Sequence, residues 1–155
     1  MGAPECPPPT AERPANVVSL EAAPTAFAGR MRRLGQGAGA RATGLNHVTL
    51  AAGEPGAPAH CHSLEEEAFV VLDGGGVIEL WQRGERKEHA LSAGDVVARP
   101  AGTGVAHAFR AGQQGLTYLA YGTREPGDMC FYPGSGRVSL RGLGIALSSP
   151  DIDYL

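Results

Sequence analysis

Between residues 43 and 121 this chain is a succession of short apolar segments, each closed by glycine, proline or aspartate. That punctuation constrains the fold more than any other feature, because segments so short make poor helices but can pair as strands. Residues 43–51 (TGLNHVTLA) read as a strand ending on the turn Gly53-Glu54-Pro55-Gly56. Residues 59–63 and 67–73 are the next two, and Gly74-Gly75-Gly76 is expected to break the second. Residues 77–82 (VIELWQ) turn at Arg83-Gly84 and return over 87–91, and 94–99, 105–110 and 116–121 complete the series. No convincing amphipathic helix interrupts it. The pattern predicts an all-β antiparallel sandwich or barrel.

At 155 residues the chain is long enough for one domain with a real core. Residues 1–15 are rich in proline and small residues and are expected to form a flexible arm. Residues 16–42 read as an N-terminal strand and loop segment, with strands at 16–20 and around 31–34. Residues 43–122 form the barrel core. Residues 123–155 form a C-terminal extension packing on it, with strands at 130–132 and 137–140. A formal charge of −3 excludes the polycationic signature of a nucleic-acid binder. No apolar run is long enough to span a membrane, and the N-terminus resembles no signal peptide. Cys6, Cys61 and Cys130 are odd in number and form no CxxC, which argues for a reducing compartment. A cytoplasmic location is expected.

Chemistry concentrates in residues 58–74, PAHCHSLEEEAFVVLDG. Residues i and i+2 of a strand share a face, so His60 and His62 can reach one point while Cys61 turns away. Glu67 follows, sharing a face with Phe69 and Val71. Two imidazoles beside a carboxylate are metal-ligand chemistry. A second cluster, GDVVARPAGTGVAHAF over residues 94–109, places Val105, His107 and Phe109 on one face. If both faces point into one barrel, His60, His62, Glu67 and His107 can converge. The run Glu65-Glu66-Glu67 reads as partly a solvated face, whatever Glu67 does.

These two stretches resemble the two motifs of the cupin superfamily, over roughly residues 45–121. His60-x-His62, a four-residue spacer, Glu67 and Gly74 match the register of the first motif. Glu66 fits a shorter spacer but leaves Asp73 at the closing glycine position, which favours Glu67. Gly94, Pro100 and Gly102 match the second motif; His107 falls two residues late, and Ala111 stands where asparagine is usual. The resemblance implies a double-stranded β-helix, the cupin jelly-roll barrel, assembled as a homodimer. Ala68, Val70 and Leu72 offer an apolar surface on the face opposite Glu67. It also implies one divalent metal ion, with coordination positions left open. Three histidines and one carboxylate suit Fe, Mn, Ni or Zn alike.

The function expected is a metal-dependent enzyme on a small polar molecule, of oxygenase, isomerase or lyase type. The alternative is a non-catalytic cupin that binds or senses a small ligand, since no motif puts a dedicated acid–base pair beside the ligands. A sugar-phosphate-isomerase-like activity would need a phosphate-binding cluster, for which the sequence offers Arg99 and Arg41. Candidate substrate contacts are Arg99, Phe109, Tyr118, Tyr121 and His47. Each also has a plainer reading: an ion pair for Arg99, core aromatics for the next three, a core or surface histidine for His47.

Overall fold

The computed structural model describes residues 14–148. Its strands are β1 (Thr25–Ala26), β2 (Met31–Arg32), β3 (Thr43–Leu50), β4 (Cys61–His62), β5 (Glu67–Gln82) and β6 (Glu85–Ser92). They continue as β7 (Val96–Arg99), β8 (Ala106–Thr123), β9 (Met129–Tyr132), β10 (Arg137–Leu140) and β11 (Ile145–Ser148). The one α-helix among the described residues, α1 (Leu34–Gly37), has four residues. One sheet has the order β1-β2-β3-β8-β5-β6, with β7 also paired to β5, and the second runs β11-β10-β9-β4. This is the predicted all-β antiparallel jelly roll.

The long strands depart from expectation. Gly74-Gly75-Gly76 does not break the chain; β5 runs through it, with register shifts against β8 on both sides of Gly74. A β-carbon at Gly76 would strike the Arg110 carbonyl, and one at Gly74, whose φ is +70°, would strike that of Gly115. Glycine here lets two backbones approach and bend without breaking, as in a bulge. The segments 105–110 and 116–121 likewise fuse into the single strand β8. First β7 and then β6 pairs with β5 along its length, beside β8 throughout.

Alternation along β3, β5 and β8 fills the interior. Val48, Leu50, Phe69, Val71, Phe109 and Leu116 are buried there, and each such side chain stabilises the fold by about 1.5–3 kcal/mol relative to exposure. The opposite face leaves Val70, Leu72, Val96 and Tyr121 exposed.

The termini bring corrections. Residues 16–20 form no strand; β2 falls within the strand expected around 31–34, and with the added β1 it extends the first sheet outward from β3. The C-terminal strands fall where expected, with β11 added. They form a second sheet with β4, so the end of the chain frames the histidine strand directly. Most of the proline-rich arm, Cys6 and residues 149–155 lie outside the described residues. No helix among the described residues is long and apolar enough to cross a membrane.

Candidate metal centre

Backbone pairing sets the cluster. His60 and His107 stand directly opposite one another and exchange both hydrogen bonds: His60 N–H donates to the His107 carbonyl at 3.1 Å, and His107 N–H returns one at 2.9 Å. The proline-glycine turn after β7 secures the next ligand strand. Gly102, at φ +70°, donates its N–H to the His62 carbonyl at 2.9 Å, a conformation that favours glycine. Glu67 opens β5, in register with Gly122 on one side and Arg99 on the other.

The four side chains converge on one atom. Nε2 of His107, His62 and His60 lies 3.3, 3.8 and 3.9 Å from Glu67 Oε2. That oxygen is buried and has no hydrogen-bond partner. Outer contacts fix two of the imidazoles. His60 Nδ1 lies 2.8 Å from the Pro58 carbonyl and His62 Nδ1 lies 2.7 Å from Asp128 Oδ2. Each Nδ1 therefore carries the proton, and for a neutral ring the Nε2 lone pair faces Glu67. Lone pairs facing a carboxylate oxygen repel unless a cation lies among them, so this donor set fits a divalent ion.

Electrostatics agree for two of the histidines. Burial pushes the His107 imidazole down to about 2, assisted by His60, Arg99 and His62. Burial also lowers His60, against the pull of the Pro58 carbonyl. Both are neutral and ready as ligands. Burial acts in the same direction at His62, but Cys130, Asp128 and Glu67 outweigh it and raise that imidazole to about 9. Without a metal, a proton on His62 supplies the cation the cluster demands. Burial raises Glu67 as well, opposed mainly by His62.

Ligand-type atoms of His60, Glu67 and His107 all lie within 4.8 Å of one another. His62 joins two further such groups, one with His60 and Cys130 and one with Glu65 and Asp128. Cys61 belongs to none of these groups, as strand alternation predicted. Cys61 and Cys130 are both free thiols.

Beside the cluster opens a cavity of about 730 Å³, walled in part by His62, Glu67 and Tyr132. None of the five expected substrate contacts lines it. Arg99 donates to the Val105 carbonyl at 2.6 Å and lines instead a gap of about 10 Å³ with Cys61, His62, Glu67 and His107. Phe109 and Tyr118 stack on each other in the core at 4.8 Å between ring centroids. Tyr121 lies on the outer face, 44% exposed. His47 alternates with buried Val48, away from the interior.

The sequence reading missed the residues that surround the cluster. Asp128, 1% exposed, accepts from His62, Ser63, Leu64 and Glu65. Glu65 is buried at 2% exposure, not solvated, and ties Arg141 at 2.7 Å and Arg124 at 3.5 Å. Tyr132 stacks over His60 with centroids 5.6 Å apart. Burial first, then Cys130, raises its hydroxyl to about 12, so it remains a proton donor at neutral pH.

A jelly roll with three imidazoles and a carboxylate gathered inside is a β-barrel built around a cluster of metal-ligand type. Residues 46–120 match the family model described as Cupin domain, and solved structures of the cupin superfamily share the fold. Among solved structures it is similar to a protein from Acidithiobacillus ferrooxidans ATCC 23270 provisionally described as a sugar phosphate isomerase. The two are 27% identical with a TM-score of 0.68, over 81% of this chain and 79% of that one. It is also similar to a cupin-superfamily sugar phosphate isomerase from Silicibacter pomeroyi DSS-3, 26% identical with a TM-score of 0.65 and the same coverages. A cupin protein from Bacteroides fragilis shares the fold at 23% identity and a TM-score of 0.51, over 61% of this chain and 75% of that one. No curated protein matches the chain by sequence.

Proposed function

We propose that this protein is a metal-dependent cupin enzyme acting on a small polar molecule, with His60, His62, Glu67 and His107 holding one divalent ion. The carrying observation is the orphaned Glu67 Oε2 with three imidazole nitrogens around it. Fe, Mn, Ni and Zn all suit this donor set. When bound, the metal would supply Lewis-acid polarisation of a substrate oxygen.

The chain's own residues do the rest. Asp128 holds His62 in the tautomer that presents Nε2 inward, and the Pro58 carbonyl does the same for His60. The Tyr132 hydroxyl, protonated and at the cavity wall, can donate to a substrate oxygen. Within the reaction types open to such a site, an isomerase acting on a sugar phosphate is favoured. The two relatives named above at 27% and 26% identity carry that description, and the cavity is of the volume expected for such a ligand. A non-catalytic binding role has one specific support: Glu65, the other carboxylate of the cavity wall, is occupied by Arg124 and Arg141. That leaves no second free carboxylate there as general base.

A homodimer through the exposed Val70, Leu72, Val96 and Tyr121 face, and a cytoplasmic location, complete the proposal.

The test is elemental analysis after reconstitution with each of the four metals, followed by turnover assays on aldose and ketose phosphates. Near-stoichiometric metal in the wild type and its loss in His60→Ala/His62→Ala are expected. Unchanged metal content in the double variant refutes the ligand set. Sustained isomer formation excludes the binding-only reading.

A further inference from the structure

The charge of the cavity is opposite to that of the protein. Its wall carries four arginines, Arg33, Arg41, Arg124 and Arg141, against two carboxylates, Glu65 and Glu67. The wall is therefore formally positive by two charges, before any metal, in a chain of net charge −3. A concave surface of one sign concentrates ligands of the other.

The four guanidinium groups are not equally committed. Glu65 Oε2 accepts from both Arg141, at 2.7 Å, and Arg124, at 3.5 Å, so one carboxylate balances two cations. Arg33 donates to the neutral side chain of Gln36 at 3.4 Å. Arg41, exposed at the cavity edge, has no carboxylate partner among the described residues. The segment that carries Arg33 and Arg41 packs through α1 on β3, across the cavity from the C-terminal segment that carries Arg124 and Arg141. Cations from two ends of the chain thus face one space, which also reaches His62 and Glu67.

We propose that this arginine wall is an oxyanion subsite that takes the phosphate of a small phosphorylated polyol or sugar. Planar guanidinium forks match phosphate oxygens in paired hydrogen bonds, which a lone lysine cannot do. The volume of about 730 Å³ leaves room for the polyol between the phosphate and the ligand cluster. The subsite rests on the metal-centre reading only for the direction in which the rest of the substrate points.

Titration calorimetry with inorganic phosphate, glucose 6-phosphate and glucose tests this on the metal-loaded protein at low salt. Phosphate and glucose 6-phosphate are expected to bind, and glucose alone is not. Arg33→Ala/Arg41→Ala should weaken both phosphates about tenfold or more at unchanged metal content, with Arg41→Lys in between. Circular dichroism of each variant verifies folding, and Arg41, exposed, can be replaced without loss of structure. In metal-free His60→Ala/His62→Ala, inorganic phosphate should still bind, which separates failure of the metal centre from failure of the subsite. Absence of phosphate and glucose 6-phosphate binding at millimolar concentration overturns the proposal. So does binding that is indifferent to both arginine substitutions.

Discussion

Replacing Asp128 by asparagine should damage both the fold and the metal centre, for one geometric reason. Oδ2 of Asp128 meets His62 Nδ1 at 2.7 Å, while Oδ1 accepts from Leu64 N at 3.0 Å, Glu65 N at 3.2 Å and Ser63 Oγ at 3.3 Å. A carboxylate serves both sides; an amide of the same shape cannot. With its oxygen toward the backbone amides, it presents N–H to the imidazole, whose proton must move to Nε2 and block the ligand position. Flipped, it satisfies the imidazole and sets N–H against two amide donors. Either way, hydrogen bonds to a charged acceptor are lost in a buried place, a destabilisation of about 2–4 kcal/mol. The loss of orientation should lower metal affinity about 10- to 100-fold. Urea unfolding of the metal-free protein, followed by the fluorescence of its single tryptophan, Trp81, measures the first effect. Competition with a chelator measures the second. An Asp128→Asn variant whose unfolding midpoint and competition curve both match the wild type refutes the reasoning. A lowered midpoint with intact affinity would make Asp128 a staple for residues 63–65 alone.

Three further perturbations have defined outcomes. Glu67→Gln should lower metal content sharply yet leave the metal-free protein as stable as the wild type, or more so by about 1 kcal/mol, since a buried carboxylate without a hydrogen-bond partner on Oε2 is removed; thermal unfolding with and without metal reads both signs. Gly76→Ala should cost about 1–3 kcal/mol by driving a methyl group into the Arg110 carbonyl, read as a shifted urea midpoint. Leu72→Glu/Val96→Glu should convert the proposed dimer to a monomer with metal content unchanged, as measured by light scattering, because both side chains lie on the exposed apolar face.

The clustering of the histidines with Glu67 was legible because a strand's alternation is a local rule. His60 and His62 share a face and Cys61 does not, whatever the rest of the chain does. The strand inventory was legible for the same reason, through its turn residues. Continuity was not: Gly74–Gly76 reads as a stop, and only the approach of Arg110 and Gly115 shows that it is a bend. The surroundings of the cluster were also hidden. Asp128 and Glu65 have no spacing that marks them, and their burial comes from a C-terminal sheet that folds back on β4. The cavity arginines stand in loops from both ends of the chain, and nothing local says that they meet. Phe109 and Tyr118 follow their plainer reading as core aromatics, while Tyr121 lies on the outside.

The paired hydrogen bonds between His60 and His107 bear on the order of folding. These residues are far apart in the chain, so bringing them together closes a long loop, and its entropy must be overcome before the contact yields anything. His60, His62 and Glu67 are near neighbours and can gather early, but the last imidazole arrives only when β8 is in place along β5. On the proposed ligand set, a metal ion would complete its site only after that closure, and would act chiefly on the rate at which the barrel reopens.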